Sequence, residues 1–173
     1  PSHSTYRPVA VYASDVNGDG ITELPRAVLM AGYKDTSSSD AVYMLDWYAY
    51  GIGKVPTKVA TTYQNISDAW SLLIDQKWHD RITAIKANDG GLSYVEFFEY
   101  RKNKMSIPLF NIYCATGSNR EYYAERTDLI QLGQTAQAIY FAKLTNEGEQ
   151  SELALTGDEI KARFSLVNQA WNN

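Results

Sequence analysis

The chain has 173 residues, 45% of them hydrophobic, with 16 Lys and Arg against 20 Asp and Glu and a formal charge of -4. That size supports a real hydrophobic core in one domain or two small ones, while mild, dispersed acidity argues against nucleic acid, whose phosphates call for a basic face. No run of eighteen or more apolar residues is present, so the sequence offers no transmembrane span.

Val9 to Ala13 and Ala27 to Met30 read as strands flanking the loop Asp15-Val16-Asn17-Gly18-Asp19-Gly20-Ile21-Thr22-Glu23. Its oxygen-bearing side chains fall at positions one, three, five and nine. Ca²⁺ is a hard cation that takes about six to eight oxygen ligands, and a backbone carbonyl at position seven completes the usual set. The expected metal ligands are therefore Asp15, Asn17, Asp19 and Glu23 through their side chains and Ile21 through its carbonyl, with Ca²⁺ as cofactor. Gly18 and Gly20 allow the tight coil. Position twelve, where an EF-hand places a bidentate Glu, is Arg26, and Pro25 stands where an exiting helix would begin, so the loop joins strands. An Asx-rich turn without an ion is the competing reading; mutual repulsion of three carboxylates within nine residues favours the ion.

The D-x-N-G-D-G-x-x-E run, following the apolar Val9 to Ala13, resembles the calcium loop of FG-GAP or VCBS-type repeats. That resemblance covers about residues 9 to 30, in a single copy. It implies a strand-loop-strand unit of an extracellular module, with the ion in a structural role.

Lys34 to Asp40 reads as a polar loop, and Val42 to Tyr50 as a strand. Gly51-Ile52-Gly53-Lys54-Val55-Pro56 is the expected boundary between an N-terminal hairpin unit (1–53) and a main body (54–173), unless 1–173 is one continuous domain. Asp68 to Asp75 alternates Trp70, Leu72 and Ile74 as a strand, yet Trp70, Ile74 and Trp78 also suit a helix capped by Ser67; the strand is chosen, in part on a resemblance given below. Arg81 to Ala87, then Asn88-Asp89-Gly90-Gly91, then Leu92 to Tyr100 predicts a hairpin. Pro108 to Ala115 and Ala136 to Leu144 are further strands. At the C-terminus Thr156 and Glu159 form a capping box, and Ile160, Phe164, Val167 and Trp171 recur at helical spacing, which predicts a helix from about Asp158 to Trp171 packed on the sheet.

The elements add up to an α+β fold, mainly antiparallel sheet with one C-terminal helix. Tyr63-x-Asn65-x-x-Asp68-x-Trp70 with the downstream Trp78 resembles the strand pair of PsbP/Mog1-like domains of secreted lipoproteins, over about residues 59 to 82. That resemblance implies a sandwich architecture and nothing about activity.

Other chemistry is sparse. Cys114 stands alone in an apolar stretch and reads as a buried hydrophobe. His79 is expected in a turn, though in an extended segment it would point away from Asp80; Glu96 and Glu99 are expected on opposite faces of one strand, a poor pair for glycoside hydrolysis. Asn65-Ile66-Ser67 fits a glycosylation sequon. Because the sequence opens at Pro1 with no leader, we expect a processed or truncated chain. The favoured function is a non-enzymatic, calcium-stabilised module of a secreted or cell-surface protein, lipoprotein-anchored in one version, that binds a protein or glycan. The alternative is an envelope hydrolase of glycoside type.

Overall fold

The computed structural model describes residues 9–33, 41–51, 53, 55–89, 92–118 and 120–167. In chain order the strands are β1 (Leu24–Leu29), β2 (Tyr43–Ala49), β3 (Thr57–Asn65), β4 (Trp70–Leu73), β5 (Ile82–Asp89), β6 (Leu92–Arg101), β7 (Lys104–Thr116), β8 (Ile130–Gln134), β9 (Ala138–Leu144) and β10 (Phe164–Leu166). Helix α1 (Arg120–Ala124) precedes β8, and α2 (Gly157–Arg163) precedes β10. They form two five-stranded antiparallel sheets, ordered β1-β2-β3-β4-β10 and β5-β6-β7-β9-β8. Antiparallel sheet with few, short helices therefore dominates the chain.

Alternation builds the core. Tyr63, Trp70 and Leu72 from the first sheet meet Ala84, Val95, Phe97, Phe110, Ile112 and Tyr140 from the second. The Tyr63 ring lies edge-on to Phe97 at 5.4 Å, and Phe97 stacks on Phe110 at 4.9 Å. Such aromatic pairs add stabilisation beyond the area they bury. The Tyr140 hydroxyl ties the sheets together by donating to the Asp68 carbonyl at 2.8 Å. Met30 and Met44, from the N-terminal hairpin, belong to the same cluster, and β2 pairs with β3 across the Gly51 to Pro56 connection.

The expected β5–β6 hairpin is present, with Asp89 opposite Leu92. Trp70, Leu72 and Ile74 are all buried, as the strand reading of this segment requires. Three expectations need correction. Val9 to Ala13 forms no strand; this approach to the loop pairs only through the isolated bridge between Ser14 and Glu23. The β8 strand and helix α1 were not expected at all.

The third correction concerns the C-terminal helix, which keeps its capping box, with the Glu159 N–H donating to the Thr156 hydroxyl and the Thr156 N–H to the Glu159 carboxylate. It ends at Arg163. Phe164 to Leu166 instead pairs with β4, where Phe164 packs 5.9 Å from Trp70 and 5.6 Å from Tyr140 by ring centroids. A strand satisfies the open edge of β4 and still buries Phe164, whereas a continued helix would leave that edge unpaired. Trp171 and Asn168 lie outside the described residues. The Lys34 to Asp40 loop does too.

Trp78 is the largest anchor outside the strands. It is fully buried, lies 5.8 Å from Phe110, and its indole N–H donates to the Leu153 carbonyl at 3.0 Å. Trp78→Ala is expected to cost about 3 to 5 kcal/mol, read from the midpoint of a denaturant melt; a loss under about 1 kcal/mol would be that of a surface residue.

Candidate metal centre

The loop is closed at its base by two backbone bonds. Ser14 N–H donates to the Glu23 carbonyl at 3.1 Å, and Glu23 N–H returns to the Ser14 carbonyl at 2.9 Å. Inside, Gly18 and Gly20 take φ of 76° and 83°, in the left-handed region where a side chain is strained. Those bends turn successive N–H groups onto Asp15: its Oδ1 accepts from Gly18 at 2.7 Å and Asp19 at 3.1 Å, and its Oδ2 from Gly20 at 2.8 Å. The Gly20 N–H most of all, joined by those of Gly18 and Asp19 and outweighing the opposing effect of desolvation, holds the Asp15 carboxyl below its ordinary value.

Asp19 accepts from the Ile21 N–H at 2.8 Å and from the Asn17 amide at 2.9 Å. Glu23 forms the floor. Its side chain is fully buried, its Oε2 accepts from the Val16 N–H at 2.9 Å, and its Oε1 has no hydrogen-bond partner among the described residues. One carboxylate oxygen each from Asp15, Asp19 and Glu23 lie within 4.8 Å of one another. Oxygens on opposite sides of one cation, each at about 2.3 to 2.6 Å, are separated by a similar span. These three residues could hold a metal ion.

Of the five ligands expected from spacing, the structure thus brings together Asp15, Asp19 and Glu23. Asn17 is in the loop, with its side chain tied to Asp19 in both directions, since its Oδ1 also accepts the Asp19 N–H at 3.1 Å. Ile21 is half exposed at 50% and engages Asp19 through its N–H.

Other acidic and basic groups make ion pairs away from the loop. Glu99 is fully buried and is met by Arg81, Arg101 and the Ser151 hydroxyl. It lies on the face of β6 that carries the buried Val95 and Phe97, opposite to Glu96, as expected. A cleft of about 320 Å³ between β3, the end of β4 and Arg163 is lined by Lys58, Asp75, His79 and Arg163, with Arg163 bonded to Asp75 at 2.9 Å. His79 is indeed in a turn, but its Nδ1 lies 3.4 Å from the Asp80 carboxylate. The divergence that an extended segment would give does not arise, because the segment turns, with Asp80 at φ of 59°. Asn65 is buried, and its amide donates to Asp68 at 2.8 Å, which leaves the sequon no free acceptor nitrogen on this surface. Cys114 is a buried free thiol, pushed up to about 11 by burial.

No protein-family model, no curated protein and no solved structure matches this chain.

Burial alone would raise the Glu99 carboxyl, but bonds from Arg101, Ser151 and Arg81 and the charge of Arg101 outweigh it and hold the group below its ordinary 4.5. A carboxylate depressed in the folded state contributes stability that is complete above the unfolded value and lost as pH falls through the folded one. Glu99→Gln should therefore cost roughly 1 to 3 kcal/mol at pH 7 and lose less further stability than the parent as pH drops below 4.5. Denaturant melts across that range check this; identical acid slopes in both proteins would contradict it.

Proposed function

We propose that this chain is a calcium-stabilised, non-enzymatic module of a secreted or cell-surface protein that binds a protein or glycan ligand. Ca²⁺ is held by Asp15, Asn17, Asp19 and Glu23 and by the Ile21 carbonyl. The observation that carries the reading is the Glu23 Oε1. A buried polar atom without a partner costs about 1 to 3 kcal/mol, and more when charged, so a carboxylate oxygen left bare beside two further carboxylates calls for a cation.

The donors choose the ion. All are oxygens on a curled, mostly exposed loop, which suits a hard cation of flexible coordination, whereas zinc takes nitrogen and sulfur and magnesium demands a tighter octahedron. A loop whose ligands are exposed apart from Glu23 binds weakly, with dissociation constants on the order of 10⁻⁴ to 10⁻³ M for extracellular modules. Such a loop fills only where calcium is millimolar. This supports the extracellular or surface location, and a lipoprotein anchor is one way to reach it.

The loop spacing also supports kinship with FG-GAP or VCBS-type loops. For the body, the β3–β4 hairpin formed around Tyr63, Asn65, Asp68 and Trp70, with Trp78 packed below, supports a PsbP/Mog1-like relationship in architecture.

Thermal unfolding with and without Ca²⁺ tests the reading. An ion that binds only the folded loop should add about 1.4 kcal/mol at ten times its Kd, which is a rise of a few degrees in Tm for a chain of this size. Asp19→Ala should melt like the calcium-free parent in either buffer. If the mutant kept the full rise, the ion would be bound elsewhere; no rise in the parent at millimolar Ca²⁺ would refute calcium.

A further inference from the structure

Calcium takes about six to eight oxygens; backbone N–H groups already bond to Glu23 Oε2, to both Asp15 oxygens and to Asn17 Oδ1, which favours one oxygen from each of the five ligand groups, so an ion held there keeps positions for oxygens from outside. The floor is Glu23, fully buried, while Asp15, Asn17, Asp19 and Ile21 are all exposed. The open positions thus lie on the solvent side. Charge decides what completes them. Three carboxylates already exceed the charge of a dication, so a further carboxylate from a partner would meet net repulsion at a few ångströms. Neutral oxygens would not. A sugar offers two adjacent hydroxyls that can take two neighbouring positions on one ion, and its C–H face needs apolar surface alongside. Such surface flanks the loop: Ile21 within it is 50% exposed, Leu24 just after it 42%, and Tyr12 shortly before it 74%.

We infer that the Asp15, Asp19 and Glu23 centre is a calcium-dependent glycan site, in which the ion binds a neutral vicinal diol of a hexose directly. The inference rests on the calcium reading above. It assigns the ion a ligand-binding part in addition to its stabilising one.

The test passes the whole chain over immobilised mannan and immobilised galactan, both 1,6-linked so that the 3,4-diol is free and differs in configuration at C4, and over immobilised polyglutamate, each with millimolar Ca²⁺ or with EDTA. Calorimetry with Ca²⁺ alone runs in parallel. The expected result is retention on at least one polysaccharide in Ca²⁺, release by EDTA, loss of retention in Asp19→Ala, and no retention on polyglutamate. Calcium binding by calorimetry without retention on either polysaccharide would overturn the diol site and leave the calcium reading standing. Retention that survives EDTA, or retention on polyglutamate in place of the sugars, would also overturn it. Absence of calcium binding would remove both.

Discussion

A carboxylate oxygen buried without a donor is a costly arrangement, and the N-terminal loop is organised around one. Glu23 is drawn inward by its backbone pair with Ser14, which places its carboxylate beneath the loop while its Oε2 takes the Val16 N–H. The other oxygen has no hydrogen-bond partner among the described residues, and one oxygen of this carboxylate lies within 4.8 Å of one from Asp15 and one from Asp19. A hard cation would stabilise such an oxygen and simultaneously relieve the repulsion of the other two carboxylates. The left-handed turns at Gly18 and Gly20 contribute by committing backbone N–H groups to Asp15, which keeps that carboxylate ionised and aimed before any ion arrives.

The loop leads directly into β1, the edge strand of the first sheet, whereas the aromatic slab between the sheets is built from Tyr63, Trp70, Phe97, Phe110 and Tyr140, far along the chain. Met30, just beyond β1, is the link, being fully buried in that slab. An ion at the loop therefore fastens an edge to a core that other strands already hold. Its energetic effect on the whole fold should be modest. Its effect on the geometry of the exposed rim, where a ligand would approach, should be larger, because Asp15, Asp19 and Ile21 have few other constraints outside their own loop.

Much of this architecture was legible where short-range pattern and long-range packing agree. The two apolar runs of the β5–β6 hairpin and the Thr156/Glu159 cap name their element because the local signal is the one the tertiary structure uses, and the alternation of Trp70, Leu72 and Ile74 fits the strand that forms. Phe164 shows the opposite case. It fits helical spacing after Ile160, and it also fits a strand on β4; the open edge that decides between them belongs to residues ninety positions earlier in the chain, at about the reach of Trp70 and Leu72. β8 hid for a different reason, since in Ile-Gln-Leu-Gly-Gln only Leu132 is buried. The tight β6–β7 connection places Lys102 and Asn103 at φ of 50° and 61°, with no glycine to announce it. At the candidate metal centre, spacing pointed to the three carboxylates that come together, but not to the burial of Glu23 or its bare oxygen, because both depend on how the strand after the loop is covered.

The most direct measurement of the central claim is a crystal structure of the chain grown in millimolar Ca²⁺, with anomalous data to identify the ion. The account predicts one calcium peak in contact with the Glu23 Oε1 and with Asp15 and Asp19, at about 2.3 to 2.6 Å, with water or other neutral oxygens on the exposed side. A loop of the same shape with no anomalous peak, and with the Glu23 Oε1 bonded to water or to a protein donor, would contradict it.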